Sequence, residues 1–131
     1  IDGVPKNLSG LIRAQRIQEK ASTVGFDWDD VPPALEKCHE EVDELLEVWK
    51  KGDHKRSQEE FGDVLFSMVN IGRLMKIDSE TSMRLAVDKF DARFRALETV
   101  FEQENKNIET ASLEEMDEVW DRIKHKVEFR K

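Results

Sequence analysis

Apolar residues recur along this chain at intervals of three and four, and no stretch alternates convincingly at intervals of two. That period is the signature of amphipathic helices. The pattern predicts a first helix over about Ser9–Val24, with Leu11, Ile12, Ile17, Ala21 and Val24 on its apolar side. Gly25–Val31 reads as a loop carrying Phe26 and Trp28. Asp30 followed by Pro32 and Pro33 starts a second helix, which Gly52 ends after about Lys51. Its apolar stripe is Leu35, Cys38, Val42, Leu45, Leu46 and Trp49, widened by Val48. A third helix is expected over about His54–Met75, with the stripe Phe61, Val64, Leu65, Met68 and Met75 and with Ile71 beside it. Asp78 and Ser79 cap a fourth helix, extended to about Asn105, whose stripe is Met83, Ala86, Phe90, Phe94, Leu97 and Phe101. Ser112 to Glu115 forms a capping-box signature for a fifth helix ending near Val127. The expected fold is all-α, a bundle of about five helices with short connections.

The 131 residues suit one domain with one core, preceded by a linker over residues 1–8. The expected domain is therefore 9–131. A formal net charge of −8 argues against nucleic acid as a partner. It leaves a nucleotide substrate open, because a bound cation inverts the local charge. One cysteine, Cys38, permits no intramolecular disulfide. With no secretory signal and no apolar run of membrane-spanning length, it points to a cytoplasmic protein without a membrane partner. Because the chain starts at Ile1 rather than Met, a processed product or an excised domain is expected.

Two acidic clusters carry the candidate chemistry. Glu40-Glu41-Val42-Asp43-Glu44 lies on the second helix, and Glu60-Phe61-Gly62-Asp63 on the third. Carboxylates three apart are neighbours on a helix surface. Two such pairs on facing helices would make an oxygen-only site of the kind that suits Mg²⁺ or Mn²⁺. At about 100° per residue, Glu41 and Glu60 fall at the border of the apolar stripes, and Glu44 and Asp63 on the wetter side. Either cluster alone also fits a solvated acidic face, and Glu60 fits a capping box with Ser57. A look-alike is present in Glu114-Glu115-Met116-Asp117-Glu118, followed by Asp121. There both halves share one helix with no turn between them, so they cannot face each other.

On the fourth helix Lys89 and Arg93 stand four apart, and no acid lies three or four residues from either. They fit a salt bridge to the carboxylate cluster, or an anionic ligand such as a triphosphate gripped by an Arg fork and a Lys point charge. Trp120 and Lys124 share one side of the fifth helix, where Trp120 fits either a core position or a base-stacking platform. The histidines at 39, 54 and 125 have no zinc-type spacing, and no glycine-rich phosphate loop or nucleophilic triad motif occurs.

E-E-V-D-E-L, E-F-G-D-V-L-F and K-F-D-A-R-F together resemble the MazG-type nucleoside triphosphate pyrophosphohydrolases. The segment G-V-P-K-N-L-S-G-L-I-R-A-Q-R-I-Q-E-K-A-S-T-V-G-F-D-W resembles the linker and first helix leading into the C-terminal domain of full-length MazG, and the likeness runs from about Asp2 to Lys126. The resemblance implies an all-α fold of the nucleoside triphosphate pyrophosphatase type and a homodimer. It also implies Mg²⁺-dependent hydrolysis of nucleoside triphosphates to monophosphate and pyrophosphate. By motif position it gives Glu41, Glu44, Glu60 and Asp63 to the metal, and Lys89 and Arg93 to the phosphates. Trp120 and Lys124 go to the nucleotide, and Glu40 or a cluster carboxylate is the general base. The N-terminal domain that a full-length MazG carries is not in this sequence. A dUTPase or dCTPase, or a phosphoribosyl-ATP pyrophosphatase, would share the metal residues. From another class, a non-catalytic acidic bundle that binds a partner protein remains an alternative.

Overall fold

In the computed structural model, which describes residues 1–128, the chain is all-α. The helices are α1 (Gly10–Thr23), α2 (Val31–Lys50), α3 (His54–Leu74), α4 (Ser79–Gln103) and α5 (Leu113–Glu128). Among the described residues there is no strand, and no helix is long and apolar enough to cross a membrane. The last three positions of the expected 9–131 domain lie outside the described residues.

The helix starts follow from local chemistry. Asp30 accepts from Val31 N–H at 2.7 Å. Asp53 accepts from Arg56 N–H at 3.1 Å. Asp78 accepts from both the N–H and the hydroxyl of Thr81, at 2.9 and 2.7 Å, and these bonds hold its carboxyl below the usual range. Each satisfies a donor that a helix start leaves orphaned. The capping box proposed for Ser57 and Glu60 does not form: α3 starts three residues earlier, behind Asp53, and the Ser57 hydroxyl donates to the Asp53 carbonyl at 2.7 Å. At α5, Ser112 Oγ accepts from Glu115 N–H at 3.1 Å, as the signature predicts.

Two ends differ from expectation. Val24 falls outside α1 and is 83% exposed, because the chain leaves the helix through Gly25 at φ +86°. α4 stops at Gln103, where Asn105 takes φ +55° and Lys106 N–H returns to the Phe101 carbonyl at 2.9 Å. Asn tolerates that left-handed conformation, which turns the chain out of the helix. A short 3₁₀ turn, Ile108–Thr110, follows and was not visible in the periodicity.

The chain divides into two compact units, Ile1–Ser82 and the part from Met83 onward. In the first, α2 and α3 form a tight helical hairpin closed by Gly52 at φ +74°, a backbone state that side chains disfavour. Ala34, Cys38 and Ile71 are its buried cluster, packed by Val31, Leu35, Val64 and Leu74. α1 lies on α3, and Lys20 donates to the Asp2 carbonyl, tying down the segment before α1. In the second unit, Leu97 and Phe101 of α4 pack with Val119 and Ile123 of α5.

Much of the stripe expected to be core is exposed in this chain. Val42, Leu46 and Trp49 of α2, Phe61, Leu65 and Met68 of α3, and Met75 just past its end are all at least 43% accessible. The helices meet instead through a narrower strip in which Ile71 packs against the small side chains of Ala34 and Cys38. A wide apolar face of the hairpin is left uncovered.

Candidate active site

The hairpin turns two helical spacings into one site. Counted from Gly52, Glu44 and Glu60 each lie eight residues away, and Glu41 and Asp63 each lie eleven away. Antiparallel helices joined by a short turn place such positions level with each other. The four carboxylates line a single cavity of about 260 Å³, together with Lys37, Phe66 and Ser67.

Exposure follows the helical angles: Glu41 and Glu60 are half-buried, Glu44 and Asp63 exposed. Ser67 Oγ donates to Glu41 Oε2 at 3.0 Å and holds it to the α3 wall. Among the described residues no hydrogen bond or ion pair engages Glu44, Glu60 or Asp63. Glu40 is not part of the lining; it sits 3.6 Å from Lys37 Nζ at an exposed position. Cys38, in the buried cluster of the hairpin, has its Sγ 3.6 Å from Met68 Sδ. Burial and then the nearby Glu41 charge push the thiol pKa up, which keeps it protonated and unreactive.

An oxygen-only, anionic donor set lining an open cavity fits a hard divalent cation. As the side chains stand, no three His, Cys, Asp or Glu among the described residues are gathered tightly enough to hold a metal. The carboxylates share a cavity but have not converged.

The remaining site candidates belong to the second unit. Lys89 is exposed, whereas Arg93 is buried at 7% accessibility. The Trp120 ring lies 5.3 Å from that of Phe90 and packs against the second unit's core, the role that its apolar character offered as one alternative. Lys124 is exposed on α5.

Sequence reasoning missed Lys37, Phe66 and Ser67 as lining residues. Helical spacing contained the signal for two of them: Lys37 is four before Glu41 and Ser67 four after Asp63.

The model of the MazG nucleotide pyrophosphohydrolase domain matches residues 33–97, which contain both halves of the carboxylate cavity together with Lys89 and Arg93. The chain belongs to the MazG family. It is 36% identical over 126 residues to a nucleoside triphosphate pyrophosphohydrolase of Escherichia coli (strain K12), a match covering 95% of this chain and 48% of that protein. It is 43% identical over 114 residues to a nucleoside triphosphate pyrophosphohydrolase/pyrophosphatase MazG of Thermotoga maritima, covering 87% and 44%. An uncharacterized protein of Bacillus subtilis, YabN, is 39% identical over 125 residues, covering 95% and 26%. The chain thus spans about half, or less, of the length of these curated relatives.

Proposed function

We propose that this MazG domain hydrolyses nucleoside triphosphates to the monophosphate and pyrophosphate, with Mg²⁺, or Mn²⁺ in its place, held by Glu41, Glu44, Glu60 and Asp63. One observation carries the reading: four acids from two separate sequence motifs line one cavity between facing helices. The names of the relatives in Escherichia coli and Thermotoga maritima support the reaction class. A cation bound there supplies Lewis-acid polarisation and charge neutralisation at the phosphates. The chain's own residues do the rest. Ser67 fixes Glu41 in orientation, and Lys37 adds a positive charge on the cavity wall. Glu44 and Asp63 keep their oxygens toward solvent, open to ligand or proton. Lys89 and Arg93 are assigned to the phosphates, and Trp120 and Lys124 to the nucleotide, on motif position. Glu40, drawn toward Lys37, is less suited to act as general base than the carboxylates of the cavity itself.

The working form is a homodimer in this reading. The uncovered face of Val42, Leu46, Trp49, Phe61, Leu65 and Met68 is too apolar and contiguous for a lone surface. A nucleotide substrate and a single free thiol fit the cytoplasm.

The deciding experiment is incubation with each ribo- and deoxyribonucleoside triphosphate, with Mg²⁺ and with EDTA, followed by identification of the released product. Pyrophosphate, lost on chelation, is expected. Orthophosphate as the sole product, or activity indifferent to EDTA, overturns the reading. Light scattering at micromolar concentration checks the dimer, and a monomer mass contradicts it.

A further inference from the structure

Residues 1–8 precede α1 in sequence but fold back along it. Lys20, in the last turn of α1, donates from Nζ to the Asp2 carbonyl. From Gly10 to Lys20 the helix rises about 15 Å, at 1.5 Å per residue. The chain from Asp2 to Gly10 covers that distance by running back beside the helix. Val4 and Leu8 are half-buried along the way, and the other residues of the segment are exposed. At its far end Ile1 to Val4 form a β-turn. Val4 N–H donates to the Ile1 carbonyl at 3.3 Å, and Gly3 takes φ +91°. A type II turn asks that left-handed state of its third residue, which glycine supplies without strain. A Cβ at Gly3 would also stand 3.0 Å from Lys20 Nζ.

The turn delivers Ile1 to a mostly apolar cavity of about 610 Å³, which it lines with Ile17 and Ala21 of α1, Phe26 and Trp28 of the following loop, and Phe66 of α3. Ile1 is 73% exposed there, and Phe26 81%. Two apolar side chains thus border an apolar cavity while still facing water. They differ in how they are held. The loop of Phe26 is fixed to α3 by the paired bonds between Asp27 and Arg73. Residues 1–8 are held by the Lys20 bond and the turn, which leaves them the readier of the two walls to move.

We infer that residues 1–8 are a strap that closes over this cavity when substrate is bound, with Ile1 as its apolar tip and the Lys20 bond and the Gly3 turn as its fastening. The inference rests on the proposed nucleotide chemistry. Phe66 also lines the carboxylate cavity, so a substrate whose phosphates sit there has its nucleoside end beside the apolar cavity. With the cavity empty, Ile1 has nothing to cover. With it filled, closure removes apolar surface of both Ile1 and the ligand from water. That difference between the two states is what lets a ligand draw the strap shut. The segment that leads into the domain is thereby coupled to occupancy of its site.

The test uses α,β-methylene analogues of ATP, CTP, GTP, UTP and dTTP with Mg²⁺, in which the bond to be cleaved is blocked. Tripolyphosphate with Mg²⁺, which has no nucleoside, is the control. Amide hydrogen exchange across residues 2–8 should slow with at least one analogue and stay unchanged with tripolyphosphate. Gly3→Val cannot hold the left-handed turn, and Lys20→Met keeps the stem but loses the donor. Each should abolish the slowing and weaken that analogue about fivefold, as expected from losing part of one apolar side chain's burial. Lys20→Arg retains a donor and should restore both. Gly3 and Lys20 are exposed, and circular dichroism checks that the helices persist in the variants. Unslowed exchange with every analogue, equal slowing by tripolyphosphate, or full affinity in both folded variants would overturn the inference. Pyrophosphate release in the product assay with an indifferent strap removes this inference alone. Slowed exchange without pyrophosphate release removes the pyrophosphohydrolase reading alone.

Discussion

Each unit of this chain carries an acidic cavity, and an E-E-x-x-E motif supplies two of the acids in each. In the first, Glu41, Glu44, Glu60 and Asp63 come from two helices and face a lining whose only cation among the described residues is Lys37. In the second, of about 310 Å³, Glu104, Glu115 and Glu118 share the lining with Lys106 and Arg122, and Lys106 already lies 3.5 Å from Glu104. The second cavity is close to charge balance from its own side chains and gains little from a cation. The first has an excess of carboxylate that its own residues do not neutralise. The E-E-x-x-E spacing is common to both. What differs is the tight turn at Gly52, which sets a second acidic pair level with the first.

The largest expected effect comes from breaking that difference at its ligands. Glu41→Gln and Glu44→Gln keep size and helix propensity but remove a charge. Each should lower pyrophosphate release at least as far as the roughly 10–100-fold typical of changes around a metal site. Glu114→Gln and Glu118→Gln repeat the chemistry in the look-alike motif and should leave turnover within about twofold, since exposed substitutions away from a site seldom shift stability beyond about 0.5 kcal/mol. Equal losses from both pairs would mean that overall acidity, and no defined site, underlies the activity.

A smaller effect separates ligand from support. Ser67→Ala removes the hydroxyl that holds Glu41 while leaving every carboxylate in place. Mn²⁺ affinity, followed by electron paramagnetic resonance of the free ion, should fall about tenfold, at the low end for such supporting bonds. Unchanged affinity would show that Glu41 needs no orienting partner. The reciprocal change, Lys106→Ala with Arg122→Ala, strips the second cavity of its cations. It should add no tight Mn²⁺ site, because three acids without a facing pair do not make a ligand set. A new stoichiometric site there would refute the importance given to the hairpin.

Helix number, the capping residues Asp30, Asp78 and Ser112, and the relative exposure of Glu41, Glu44, Glu60 and Asp63 could all be read from the sequence, because each depends on neighbours within about one helical turn. The exposed stripe Phe61, Leu65, Met68 and Met75 could not. Periodicity records which side chains avoid water, and it is silent on what covers them. The left-handed Asn105 and the 3₁₀ turn after it escaped notice because no apolar period accompanies them. Arg93, which the sequence offers only as a cation without an acidic helical neighbour, is buried, so Arg93→Ala removes packed volume as well as charge. The fold-back of residues 1–8 onto α1 was invisible for a related reason. It depends on a bond from Lys20 to the Asp2 carbonyl, 18 residues apart in sequence.

The smallest expected effect tests a carboxylate that is already committed, in contrast to the open ones of the metal cavity. Hydrogen bonds from Arg73 hold the Asp27 carboxyl below its usual range, against the opposing effect of burial. One of the paired bonds, Nη1 to Oδ2, measures 3.1 Å. A carboxyl whose pKa is lowered by folding stabilises the fold at any pH above its unfolded value of about 3.9. That contribution is lost as the pH falls through the lower folded value. The pair is largely but not wholly shielded, with side-chain accessibilities of 13% and 25%, so about 0.5–1 kcal/mol is expected at neutral pH. Asp27→Asn should therefore lower the urea midpoint slightly at pH 7, and by progressively less as the pH falls below the unfolded value toward the lower folded one. A deficit that stayed constant from pH 7 to pH 3 would show that the Asp27 side chain holds the loop by shape, with its ionisation playing no part.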